Sequence, residues 1–78
     1  MRRRAINEYQ VLFGKRLRAL RKQRELTQEQ LAAEAGLDRT YLASIERGER
    51  NVSLQNIMKL TNALEIFAGE LFKFDKVE

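Results

Sequence analysis

Residues 26–53 read LTQEQLAAEAGLDRTYLASIERGERNVS, and the punctuation of this stretch decides the fold. Thr27 and Gln30 form an S/T-x-x-E/Q capping box, with Leu26 and Leu31 at the two staple positions around it, so a helix starts at Thr27. It keeps Leu31, Ala32 and Ala35 for the inside and stops where Gly36 can take the left-handed conformation favoured just past a helix end. Only Leu37 separates that stop from Asp38, a good N-cap, and Leu37 with Leu42 repeats the staple. This next helix, about nine residues long, ends where Gly48 follows Arg47. Ser53 then caps a further helix. Two short helices joined by a tight, glycine-containing turn make a helix-turn-helix unit over about residues 27–47.

The flanks complete an all-helical chain. There is no Pro and there are only four Gly, which favours helices before periodicity is considered. Upstream, Ile6, Tyr9, Phe13, Leu17 and Leu20 form one apolar stripe of a helix over about 6–24. Gly14 inside it either permits close approach of another backbone or is simply tolerated at a cost of roughly 1 kcal/mol against Ala. Downstream of Ser53, with Val52 and Ile57 as staple, Leu54, Ile57, Met58, Thr61 and Leu64 lie at helical spacing. A short fifth helix is expected over about 67–73, with weak signals: Phe67 stands where a polar cap would, and only Glu70 complements the dipole. The reading is one five-helix domain over 1–78, with residues 1–5 a flexible basic arm.

Charge is unevenly spread. The chain carries 15 Lys and Arg against 11 Asp and Glu, but residues 1–24 hold nine cations against Glu8 alone, a net +8, and the remainder carries −4. Such asymmetry points to a polyanion, either nucleic acid or an acidic membrane surface, or to a solvated helix face. The apolar stripe of the first helix is needed for the core, which argues against membrane binding. The absence of Cys and His excludes disulfides, thiolate or imidazole metal sites and triad nucleophiles. No cofactor or metal is expected. The carboxylates Glu29, Glu34, Glu46 and Glu49 are scattered over helices without an acid-base pairing, so an enzyme is not expected. Met-Arg-Arg-Arg is not followed by the apolar run of a signal peptide, and nothing approaches a membrane span, so a cytoplasmic protein is expected.

On the second helix of the unit, Leu42 and Ile45 fall inside and Arg39, Thr40, Ala43, Ser44 and Arg47 outside. That outer face suits a major groove: Arg bonds a guanine edge bidentately, Thr and Ser bond a base or phosphate, and Ala leaves room or meets a thymine methyl. From Leu26 to Phe72 the chain resembles the phage-repressor and Cro-type helix-turn-helix regulators, with a lambda-repressor-like fold. Its segments LDRTY and IERGERN, followed by the Ser-capped helix, are most similar to controller proteins of restriction-modification systems. The resemblance implies a sequence-specific regulator binding double-stranded DNA, with RNA polymerase a further candidate partner. It implies base reading by Arg39, Thr40 and Ser44, and a Tyr41 that either reaches DNA or packs half-buried on the preceding helix. It implies phosphate contacts from Gln28, Arg47, Arg50, Asn51 and Ser53, and a structural ion pair between Arg21 and Glu46. An antitoxin, binding a toxin partner with the same fold, is the alternative.

A domain this small reads about one half-site, so a homodimer on a palindromic operator is expected. Leu60 lies off the apolar stripe of its helix, and Ile66, Phe67 and Phe74 exceed what so small a core needs. These four are the expected dimer contacts.

Overall fold

The computed structural model describes residues 3–74 and, within the first helix, the side chains from Glu8 onward. Four α-helices follow in order, α1 (Arg3–Gln23), α2 (Gln28–Ala35), α3 (Arg39–Glu46) and α4 (Leu54–Leu64), and a 3₁₀ helix (Ala68–Phe72) closes the fold. The fifth element is thus a five-residue 3₁₀ turn. Its cap position, Phe67, makes no side-chain capping bond, and without one a full α-turn has little to start it. Among the described residues, no helix is long and apolar enough to cross a membrane.

Local caps dictate the middle of the chain. Thr27 Oγ1 accepts from Gln30 N at 3.0 Å while Gln30 Oε1 accepts from Thr27 N at 2.9 Å, so both halves of the capping box form. Asp38 and Ser53 each accept from the backbone N–H three residues on. Gly36, with φ of +70°, ends α2. The two helix ends without glycine place Glu25 and Glu65 in the left-handed region, each with φ of +57°, a conformation that costs L-residues about 1–2 kcal/mol.

α1 begins earlier than its apolar stripe suggests. The backbone from Arg3 is helical; of the expected arm, Met1, Arg2 and the side chains of residues 3–5 lie outside the described residues. α1 packs against α3 and the 3₁₀ helix, and α2 against α3 and α4. Between them lie Phe13, Leu17, Leu20, Leu31, Leu42, Ile45, Leu64 and Leu71. Truncating such a buried leucine to alanine costs about 2–5 kcal/mol.

The inward face of α4 differs from the expected one. Leu54 is 75% exposed and Met58 is exposed, whereas Leu60 is fully buried together with Thr61, Ala63 and Leu64. α4 has to cover both α2 and the 3₁₀ helix, which rotates its buried face toward Leu60 and Ala63. Leu60 is core, not a subunit contact. Ile66 and Phe74 are half-buried against the same core, and the Phe74 ring meets that of Phe72 in a tilted pair with centroids 6.4 Å apart. Only Phe67, at 87% exposure, points wholly outward.

Candidate nucleic-acid interface

α3 is presented on a rigid back. Arg21 Nε donates to Glu46 Oε2 at 2.7 Å and Arg21 Nη2 to Glu46 Oε1 at 3.0 Å, a bidentate pair almost closed to solvent. Gln28 Nε2 donates to the same Oε1 at 3.0 Å, and Arg21 Nη1 donates to the Leu26 carbonyl at 2.8 Å. One carboxylate near the end of α3 therefore ties to both helices behind it. Gln28, expected at a phosphate, commits one of its two amide N–H donors to this tie and keeps the other free of described partners. α1 crosses α3 tightly at Gly14, where a Cβ would stand 2.4 Å from the Ile45 carbonyl oxygen. Of the two readings of Gly14, close approach is the one the fold adopts.

The outward face of α3 carries Arg39 and Thr40, both exposed, with the small Ala43 half-buried beside them. Neither Arg39 nor Thr40 makes a side-chain hydrogen bond or ion pair to another described residue. Ser44 departs from expectation. It is only 3% exposed; its Oγ donates to the Tyr41 carbonyl at 2.6 Å and accepts from Arg50 Nε at 3.0 Å. The loop after α3 folds back over it, so Ser44 joins α3 to that loop instead of standing on the exposed face with Arg39 and Thr40.

In the loop, Arg47 pairs with Glu49 through two hydrogen bonds of 3.0 and 3.1 Å at an exposed site. The hydrogen bond to Arg47 holds the Glu49 carboxyl below the usual carboxylate range and raises Arg47 in turn. So exposed a pair is screened by water and adds little to stability. Asn51 is exposed, and Ser53 Oγ accepts the α4 capping bond at 3.1 Å while retaining its own proton. Arg50 lies over the Tyr41 ring, 5.6 Å from its centroid. Tyr41 is half-buried, and its hydroxyl accepts from Asn56 Nδ2 at 3.1 Å. The role of Asn56 was missed in the sequence; it stands 15 residues from Tyr41, and no periodic or cap signal links them.

The basic first helix divides in two. Arg16 binds Glu70, through its carbonyl at 2.7 Å and its carboxylate at 3.2 Å, and Arg24 donates to the Leu64 carbonyl at the end of α4. With Arg21, three cations serve the fold. Lys15, Arg18 and Lys22 form no ion pair with another described residue and lie on one exposed strip of α1.

A short helix with free polar tips, backed by a second helix across a three-residue joint and braced by α1, defines a helix-turn-helix protein. The chain belongs to the helix-turn-helix family, whose model matches residues 17–66. It is similar to the control protein C.MunI of a Mycoplasma species, 48% identical over 68 residues that cover 86% of this chain and 92% of that protein. It is also similar to the crystal structure of the restriction-modification controller protein C.AhdI from Aeromonas hydrophila. The TM-score there is 0.80 at 57% identity, covering 81% of this chain and 96% of that one. SinR, the master regulator for biofilm formation solved in complex with DNA, matches with a TM-score of 0.74 at 32% identity, over 78% of this chain and 98% of that one.

Proposed function

We propose that this chain is a sequence-specific DNA-binding transcription regulator that controls a restriction-modification operon, acting as a homodimer on a palindromic operator. The observation that carries it is the outward tip of α3, where Arg39 and Thr40 stand exposed and uncommitted on a helix held from behind by the Arg21–Glu46–Gln28 tie. A fixed helix with free donors can spend its binding energy on base edges without first ordering itself. Arg47, Arg50 and Asn51 flank that helix with phosphate-seeking groups, which position the protein but carry no sequence information. Lys15, Arg18 and Lys22 add a general attraction to the polyanion. The relatives named as control proteins, matched over almost their whole length, support the operon assignment. Phe67 is the proposed centre of the subunit contact, since so large an apolar side chain left wholly in water marks an interaction surface.

Selection of bound duplexes from a random pool, followed by fluorescence anisotropy on the winning site, tests this. Two half-sites with centres about 34–36 Å apart are expected. The logarithm of affinity should fall with the logarithm of salt concentration, by a slope of about −0.9 per phosphate contact. No enriched sequence, or an affinity indifferent to salt, would overturn the reading.

A further inference from the structure

Asn56 stands in the first turn of α4, where its backbone N–H donates to Ser53 Oγ at 3.1 Å and its side-chain Nδ2 donates to Tyr41 Oη at 3.1 Å. A phenol has one proton to give and lone pairs to receive with. An amide N–H that occupies an accepting site leaves the hydroxyl proton as the group's only donor. Among the described residues, no acceptor takes that proton. The ring is held by other means: Arg50 covers it at 5.6 Å, Arg50 Nε donates to Ser44 Oγ, and Ser44 Oγ donates to the Tyr41 carbonyl. Asn56 therefore governs the hydroxyl, while Arg50 and Ser44 govern the ring.

We infer that Asn56 is a positioning residue for DNA binding: by donating to Tyr41 Oη, it makes the phenol an outward hydrogen-bond donor for a backbone phosphate oxygen. The inference rests on the reading that α3 and the following loop face the duplex. Phosphate oxygens accept and never donate, so a hydroxyl facing them is useful only if its proton is not spent inside the protein. The identity of residue 56 fits this requirement against local stability. It is the third residue of α4, where the positive end of the helix dipole favours a carboxylate. Aspartate there would stabilise the helix, but it would claim the phenolic proton for itself. Asparagine keeps the hydrogen bond with the opposite polarity.

Asn56→Asp separates the two roles, because it retains a hydrogen bond to Tyr41 while reversing its direction. Its melting temperature is expected to hold or rise. Its affinity for the selected duplex, measured by anisotropy, is expected to fall about tenfold, close to the loss from Tyr41→Phe. In a Tyr41→Phe background, the same Asn56→Asp change should cost no more than about threefold, which is what the added negative charge alone supplies. Equal losses in the two backgrounds, or wild-type affinity in Asn56→Asp, would overturn the inference while leaving the proposed function standing. Wild-type protein that binds no duplex overturns both. If circular dichroism shows Asn56→Asp unfolded, Asn56→Leu replaces it in the cycle, with a loss of about threefold expected only when Tyr41 is present; an equal loss without the hydroxyl refutes the assignment.

Discussion

The Cα of Gly14 faces the Ile45 carbonyl so closely that a methyl group at position 14 would stand 2.4 Å from its oxygen and 2.8 Å from that of Glu46. Both obstacles are backbone, which cannot swing aside as a side-chain tip would. Gly14→Ala should therefore destabilise, although alanine is worth roughly 1 kcal/mol more than glycine in a free helix. Overpacking costs about 1–3 kcal/mol, and at roughly 4–8 °C per kcal/mol in a domain of this size the fall is plain in a thermal melt. A melting temperature that rises would contradict the crossing described.

Glu46→Gln leaves the Arg21 guanidinium nearly closed to solvent without its counter-charge. The expected loss is about 3–5 kcal/mol, read from urea unfolding at neutral pH. At temperatures where the variant remains folded, its salt dependence of DNA binding should match the wild type, since neither group is free to meet a phosphate.

Ser44→Ala and Arg39→Ala should fail in different ways. Loss of the Ser44 hydroxyl breaks the bonds to Tyr41 and Arg50 and should lower stability by about 1 kcal/mol, with base preference unchanged in a selection experiment. Arg39→Ala should leave the melt unaltered, weaken operator binding by about 1–3 kcal/mol and relax one base position. Relaxed specificity in Ser44→Ala would restore Ser44 to the reading face.

Phe67→Asp and Leu60→Asp distinguish surface from core. Phe67 makes no capping bond and projects into solvent, so its aspartate variant should fold normally yet sediment as a monomer and bind operator more weakly. Leu60→Asp places a charge in the closed interior and should not fold. A Phe67→Asp protein that stays dimeric puts the subunit contact elsewhere.

Acid should loosen the C-terminal 3₁₀ helix. The Glu70 carboxyl lies below the usual carboxylate range, first through its hydrogen bond to Lys73, then through the charges of Lys73 and Arg16. A lowered folded-state pKa means that this stabilisation is complete above the ordinary glutamate pKa and disappears as pH falls through the folded value. In urea melts, Glu70→Gln should thus be less stable than wild type at neutral pH, with the difference closing as the solution is acidified. A gap that persists unchanged in acid would mean that Glu70 acts through its uncharged contacts.

The parts of this structure legible in the sequence are those settled within a few residues. Thr27, Asp38 and Ser53 bond N–H groups three positions away, and Gly36 and Gly48 need only their own backbone freedom, so the starts of α2, α3 and α4 and the stops of α2 and α3 follow from short words, whereas the end of α4 at Glu65 does not. What could not be read depends on rotation and return. Leu60 and Met58 both lie on an apolar-rich helix, and the choice of buried face is made by α2 and the 3₁₀ helix, not by spacing alone. Ser44 sits one turn beyond the exposed Thr40, which suggests a shared outer face, until Arg50 returns over it from the loop. The Asn56–Tyr41 bond likewise joins two elements whose relative placement is a property of the whole domain.

The shared carboxylate of Glu46 has a consequence for how the protein meets DNA sequences that differ in shape. Because α1, α2 and α3 are fastened at one point, the head offers almost no swivel of its own. Differences in groove width or half-site separation have to be absorbed by bending or twisting the duplex, at an energy that depends on base steps the protein never touches. Stiff and pliant sites with the same contacted bases should therefore be told apart.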